Sequence, residues 1–587
     1  MNNKTTNSTG PIPGVGSMSG AVDSSTVADF VVARDPETKL DSWIDRISDF
    51  CSSILVKETR QAIKSRQFFM TFMLLLSLVV VWTFFALSPA RDGYEVDSLG
   101  SYMLCGFLYI LGIPLVLIIP YTTFRSLAQE YEDGTIEMVL ITTMKPYQII
   151  AGKLGSAMLQ VLIYMSVLAP CISFCYLLRG VDITQIYYSI GGGLVVTFGL
   201  CCLSIALASA ADSNRVIQVV SVILILALLF CAGIWCTAAT GICYSPIPAG
   251  QQAVGNMVLA GPGLAWISTA IILFLAAAAK ISFASSNRST MIRVGVTFQV
   301  VLFYGWLLAC ISVFGSDKWI FLLASVFSMH YLLLAGSMMV ACHPGMSPRV
   351  RRTLPTSFFK RSLYSLYVPG PGRAFLFVVG LAIGLSVSLA LGAICHEFLE
   401  VDFDTSTSLN SGRTFGFIDI QFSLLCIFTN FLYFLFFFCI VFLISRFFAW
   451  RSKTRRPFVL EMGIASALLV FLATIGSYVL SPSVFWDNRG GFHITQIFNW
   501  YRAQYAAAEI GFNEAGLFML LVGMPTLIML YFCARFAAPE LSATQSAVPQ
   551  RVLVENMELK REQQFDRDSD EETIDEIFAA VRPGQES

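Results

Sequence analysis

The residues of this chain that could do chemistry are sparse, and the most informative of them form one compact charged island. Arg125, Glu130, Glu132, Asp133, Glu137, Lys145 and Lys153 lie between two long apolar runs. Catalysis finds no footing there or elsewhere. The four histidines, His330, His343, His396 and His493, are scattered, with no second His or carboxylate at the spacing a metal needs. All fifteen cysteines lie in or beside apolar runs, as Cys171, Cys175, Cys201, Cys202 and Cys439 do, which marks reduced packing residues rather than disulfides. Phosphate cradling requires G-x-x-x-x-G-K-[ST], and Gly152-Lys153-Leu154 lacks both the upstream glycine and the hydroxyl for magnesium. Nor does a nucleophile with a base appear in the apolar runs. The chain therefore reads as no enzyme, with no cofactor bound directly, and the chemistry left to the island is recognition and the transfer of force.

The island carries its own punctuation. Gly134 breaks the helix that continues from the preceding apolar run, and Thr135 suits an N-cap whose hydroxyl meets a free backbone N–H. Glu137 falls in the first turn, where the positive end of the helix dipole favours a carboxylate. Pro146 suits the first position of the next helix, which leads through Gly152 and Lys153 into the next run, with Lys153 as an anchor at the membrane interface. A short helix over about 136–143 results, presenting Met138, Leu140 and Ile141 with Glu137. Such a face seats in a partner's groove.

The elements that position the island are membrane spans. Hydrophobic residues make up 56% and charged residues 13% of the 587, with a mean hydropathy of +0.68, far from the roughly 25% charge of soluble proteins. At about 20 apolar residues per span, the chain supports about twelve transmembrane helices. They fall near 68–88, 101–121, 154–178, 186–210, 216–238, 260–283, 294–314, 319–342, 374–396, 421–445, 458–480 and 514–536. Lys and Arg crowd alternate loops, which places both termini in the cytoplasm by the positive-inside rule. The net charge of −1 carries no information about partners, and nothing in it suggests nucleic acid. An all-α, polytopic, multi-pass protein of the plasma or inner membrane is expected.

Residues 1–40 are polar, lack the apolar core of a signal peptide and read as a cytoplasmic tail. Residues 41–67 form an amphipathic interfacial helix, with Trp43, Ile44, Ile47, Phe50, Ile54 and Leu55 on one face. It ends in the basic elbow of Lys57, Glu58 and Arg60, suited to anionic headgroups. Residues 68–285 make one six-span unit, 286–537 a second, and 538–587 an acidic cytoplasmic tail with a weak amphipathic helix. In the ninth span Gly380, Gly384, Ser388 and Gly392 form a ladder that favours close helix packing, within the chain rather than between copies. The outer segments 239–259 and 481–513 are longer than simple turns; Thr240 to Pro262 is compatible with a re-entrant element, and 481–513 with a short aromatic interfacial helix or an ordinary aromatic belt.

The island resembles the cytoplasmic loop of type-2 ABC exporter permeases. That family shows an acidic residue, Gly-Thr, a Glu two positions on, apolar residues, a Pro, and Gly-Lys opening the next span. Here these are Glu130, Gly134-Thr135, Glu137, Met138 to Ile141, Pro146 and Gly152-Lys153. Lys57, Glu58 and Arg60 are similar to the family's interfacial connecting helix. The resemblance covers roughly residues 40–285. It departs from the family at Met144-Lys145-Pro146, where Thr-Pro is common, and 294–537 shows no second island, although Arg349 to Arg373 echoes the elbow. The resemblance implies a permease subunit whose coupling helix near 130–146 docks a separate nucleotide-binding ATPase subunit. ATP would act through that partner. A second copy of the chain, or a second permease, would complete the assembly in the lipid bilayer.

Two other readings compete. An ion-coupled secondary transporter needs ionisable groups within its spans, and here His330 and Glu461 are the exceptions in a nearly uncharged set. A non-transporting structural or regulatory membrane protein of the same fold is the other alternative. An apolar bundle fits an amphipathic cargo better than a small ion.

Overall fold

Apolar segments that enter lipid must satisfy every backbone N–H and C=O internally, and the α-helix does so within one segment. The computed structural model is helical over most of its described part: residues 53–91, 99–141, 144–244, 252–341, 347–403, 415–451, 459–480, 512–542 and 552–567, less the few residues inside these ranges that lie outside the description. Helix α1 (Ser53–Lys64) precedes the first span, α2 (Arg66–Arg91). The second span runs from Leu99 to Glu132 as α3 (Leu99–Gly112), a π-helical turn (Ile113–Ile118) and α4 (Ile119–Glu132). Pro114 and Pro120 each remove an i to i−4 hydrogen bond there, and the wider turn accommodates the loss. Short helix α5 (Ile136–Ile141) follows, then the spans α6 (Pro146–Leu177), α7 (Ile183–Ala210), α8 (Asn214–Tyr244) and α9 (Gln252–Ile281).

The second half opens with α10 (Thr290–Phe314) and α11 (Lys318–Val340). A ten-residue helix, α12 (Phe358–Tyr367), then precedes α13 (Pro371–Phe403), α14 (Phe415–Arg451), α15 (Val459–Leu480) and α16 (Phe512–Ser542). Among the described residues eleven helices are long and apolar enough to cross a membrane, and they fall where eleven of the twelve expected spans lie. The remaining one, α15, has 22 residues, with its described apolar stretch at Met462–Leu472. The chain is an all-α, multi-pass membrane protein.

Contacts divide the chain into residues 1–53 and 54–587. Only Ser53 of the first group is described, so the tail at 1–40 and residues 41–52 of the expected amphipathic helix lie outside the described residues, as do 481–511 of the aromatic outer segment. Within 54–587 the buried apolar residues form two main clusters. One runs from Leu75 to Ile281 and the other from Val296 to Cys533. Helix α14 is the most enclosed, with 72% of its apolar window buried, whereas α2 has 11% and turns Phe69, Met70, Phe84 and Phe85 outward. Gln299 joins the clusters: its Nε2 donates to Thr269 Oγ1 of α9 at 2.8 Å, and its Oε1 accepts from the Tyr331 hydroxyl of α11.

One packing device recurs four times. Trp82, Trp235, Trp266 and Trp306 each lay the indole on a glycine of a neighbouring helix, respectively Gly106, Gly112, Gly199 and Gly261, where an added Cβ would overlap the ring. Each indole N–H donates to a backbone carbonyl three or four residues earlier on that helix: Met103, Leu108, Val195 and Met257, at 2.9 to 3.2 Å. A buried tryptophan needs a partner for that N–H, and the missing side chain opens the way to the backbone. Gly380 and Gly384 do not follow suit. They are exposed, and an added Cβ would meet nothing within 4 Å, so among the described residues no helix packs on this part of the ladder; at Ser388 the carbonyl accepts from the Tyr304 hydroxyl at 2.9 Å. The segment of the re-entrant alternative, 240–262, is helical at both of its described ends, and residues 245–251 between them lie outside the described residues. Helix α8 continues to Tyr244 and α9 begins at Gln252, carrying Pro262 inside it.

Candidate functional site

The island begins where α4 ends. With Asp133 as C-cap and Gly134 at φ 67°, the Thr135 N–H donates to the Glu130 carbonyl at 3.1 Å and the Gly134 N–H to the Tyr131 carbonyl at 3.3 Å. That is a Schellman motif, and the left-handed conformation explains a glycine at 134. The Thr135 hydroxyl is directed differently from the expected N-cap. It lies 3.4 Å from the Glu130 carbonyl and so closes α4 rather than opening α5, because the turn brings it back over the preceding helix. Helix α5 is described over Ile136–Ile141, and residues 142–143 of the expected helix lie outside the described residues. Ile136 is buried, whereas Met138 and Ile141 are 74% and 83% exposed. The side chains of Glu137 and Leu140 lie outside the described residues.

Helix α6 opens as the sequence predicts. Lys145 is extended, Pro146 takes the first helical position, and the Gln148 side chain accepts the Lys145 N–H at 3.0 Å. One turn later Gly152 and Gly155 give α1 its seat. A Cβ at 152 would lie 2.8 Å from Ile54 Cγ2 and 3.2 Å from the Leu55 nitrogen, and one at 155 would lie 2.8 Å from Leu55 Cδ1. Two small residues three apart thus let one helix lie directly on another.

This close approach assembles the charged centre. Lys153 is 3% exposed, and its Nζ lies 2.8 Å from Glu130 Oε1, 3.0 Å from Glu58 Oε1 and 2.9 Å from Ser126 Oγ. Those three acceptors take up all three ammonium donors. Ser126 Oγ in turn lies 3.3 Å from Glu58 Oε2. Lys153 is therefore no interface anchor: the two carboxylates, from α1 and α4, draw its ammonium into the protein, where ion pairing and hydrogen bonds offset its burial. The assembly carries one more negative than positive charge. Arg125 adds a longer pair with Glu132 at 3.6 Å on the more exposed side of α4.

Of the residues expected in the site, the structure brings Glu58, Glu130, Gly152 and Lys153 into one joint between α1, α4 and α6. Gly134, Thr135, Met138 and Pro146 shape or carry the projecting α5. Lys57 and Arg60 are exposed on α1, away from the joint. Ser126 and Gly155 escaped the sequence reading. Their signals were the i, i+4 spacing of Ser126 to Glu130 and the i, i+3 spacing of Gly152 to Gly155, both of which place residues on one helix face.

A second charged centre ties the later spans together at the basic ends of α13, α14 and α16. Arg446 Nη1 lies 3.6 Å from Glu540 Oε1, the Gly372 N–H donates to Glu540 Oε2 at 2.8 Å, and Arg373 donates to the Glu540 and Pro369 carbonyls. Ahead of it Arg293, 2% exposed, donates to the carbonyls of Leu366, Val368 and Gly370, which closes the C-terminal end of α12. The stretch that echoes the elbow in sequence thus holds a short helix latched by a buried cation. His330 donates from Nδ1 to the Val326 carbonyl of its own helix at 2.8 Å, and the side chain of Glu461 lies outside the described residues. Among the described residues no group of three or more His, Cys, Asp or Glu could hold a metal ion. No family model, no curated protein and no solved structure matches the chain.

Proposed function

We propose that the chain is the membrane-spanning permease subunit of an ATP-driven export system, of the type-2 ABC kind, in the plasma or inner membrane with both termini in the cytoplasm. Helix α5 is its docking element for a separate ATPase subunit. The observation that carries this reading is the joint beneath α5. A six-residue helix projects Met138 and Ile141 beyond the spans, and the two helices it connects are pinned to each other and to α1 by Lys153. Among the described residues this exposed apolar pair has no packing role, and a partner's groove would supply one. A push on α5 reaches α4 and α6 through the joint, and α4 meets α3 at the π-helical turn, where the second span can bend.

The test is affinity purification of the full chain from its native host in mild detergent. A nucleotide-binding ATPase is expected to copurify. Met138→Ser with Ile141→Ser should abolish its recovery while leaving membrane insertion and yield unchanged, and replacing Gly134 and Glu137 should weaken it. Recovery of the ATPase at the same level with the exposed pair replaced would rule out α5 as the docking element. No copurifying ATPase at all would instead favour a structural or regulatory protein of this fold.

A further inference from the structure

Helix α1 sorts its charges by face. Its one acid, Glu58, points inward to Lys153, while Lys57, Arg60 and Lys64 are exposed, as is Arg66 at the start of α2. Val56 and Ile63 are 57% and 43% exposed, with Arg60 between them at i+4 and i+7 from Val56. One outer face therefore alternates apolar and cationic side chains along its length. Its level is set by the junction with the first span. The Ser65 hydroxyl accepts the Phe68 N–H at 3.1 Å, capping α2, and donates to the Ala62 carbonyl at 2.7 Å, closing α1. A single residue joins the two helices, so α1 cannot lie far from the membrane boundary where α2 begins.

From this arrangement we infer that the outer face of α1 binds the headgroups of anionic phospholipids. Val56 and Ile63 enter the boundary between headgroups and acyl chains, and Lys57, Arg60 and Lys64 pair with lipid phosphates. Two features select a lipid surface over a protein. The apolar residues are single and spaced, not a contiguous patch, and the cations flank them at the reach of a headgroup layer. Charge complementarity selects anionic over zwitterionic lipid, since every charged side chain on that face is positive. The opposite face of the same helix supplies Glu58 to Lys153, so headgroups that hold α1 also hold one wall of the joint. The inference stands on the charge sorting and does not require an ATPase partner.

Hydrogen exchange of the full chain in lipid nanodiscs tests it, using phosphatidylcholine alone or phosphatidylcholine mixed with phosphatidylglycerol. Each Lys or Arg near an anionic surface favours attachment by about fivefold. Amides within 53–64 should therefore exchange more than tenfold more slowly in the anionic discs, and high salt should remove most of the difference. In Lys57→Gln/Arg60→Gln/Lys64→Gln the lipid dependence should vanish while the amides of α6 keep their wild-type protection, which reports that the joint is intact. Should that variant fail to fold, Arg60→Gln alone is expected to reduce the difference about fivefold. Equal protection of 53–64 in the two kinds of disc would overturn the inference, because zwitterionic lipid would then suffice. An undiminished difference in the variants would overturn it as well, assigning the lipid effect to other cations.

Discussion

Replacing Lys153 by Met removes the ammonium while keeping a side chain of similar length, and it tests whether the charged joint holds α1, α4 and α6 together. At 2.8 and 3.0 Å, each carboxylate contact is worth about 5–6 kcal/mol of direct attraction at an effective dielectric of about 20. Most of that is offset by the desolvation of a cation whose side chain is 2% exposed. What the substitution leaves behind decides the outcome. Glu58 and Glu130, 15% and 22% exposed, would share the space without a counter-charge, and removing one partner of such a buried set costs about 3–5 kcal/mol. Equilibrium unfolding in mixed dodecyl sulfate micelles, followed by circular dichroism, reads that loss. Adding Glu58→Gln and Glu130→Gln to Lys153→Met should restore most of it, since neutral amides can bond to each other and to Ser126. A change below about 1 kcal/mol for Lys153→Met, or a triple variant no more stable than the single one, would refute the reasoning.

Further outcomes follow from other details. Gly134→Ala should cost about 1–2 kcal/mol by the same assay, from the strain of a left-handed residue alone, since an added Cβ there meets nothing within 4 Å. Gly199→Ala forces Trp266 aside and should cost about 1–3 kcal/mol, with a smaller loss in a Trp266→Phe background; additive losses would show that the pair does not interact. Arg293→Met strands the carbonyls of Leu366, Val368 and Gly370 and should cost about 3 kcal/mol, accompanied by faster proteolysis within α12.

The spans were legible because about 20 consecutive apolar residues admit almost no other structure in a bilayer. The short helix was legible for a local reason, since Gly134 and Pro146 each constrain the backbone at their own position. The joint was not, because Glu58 meets Lys153 across 95 residues of sequence. Local pattern marks a lone Lys at a span end as an interface anchor and cannot show which carboxylates await it. Thr135 illustrates a finer failure: its residue type suits an N-cap, but the Schellman turn directs the hydroxyl to the helix behind. The glycine ladder at 380 and 384 failed in the opposite sense, for small residues permit close packing without compelling it.

The indole pairs have a consequence for observation. Four of the nine tryptophans sit at contacts between particular spans, each with its ring N–H bonded to a carbonyl across the contact. Indole emission depends on that bond and on the polarity around the ring, so the protein carries built-in reporters of separation between named helix pairs. Trp82 reads the first span against the second, Trp235 the fifth against the second, Trp266 the sixth against the fourth, and Trp306 the seventh against the sixth. Single Trp→Phe variants would divide a spectral change into these four distances, and the order in which the signals move would time the opening of the bundle without any label.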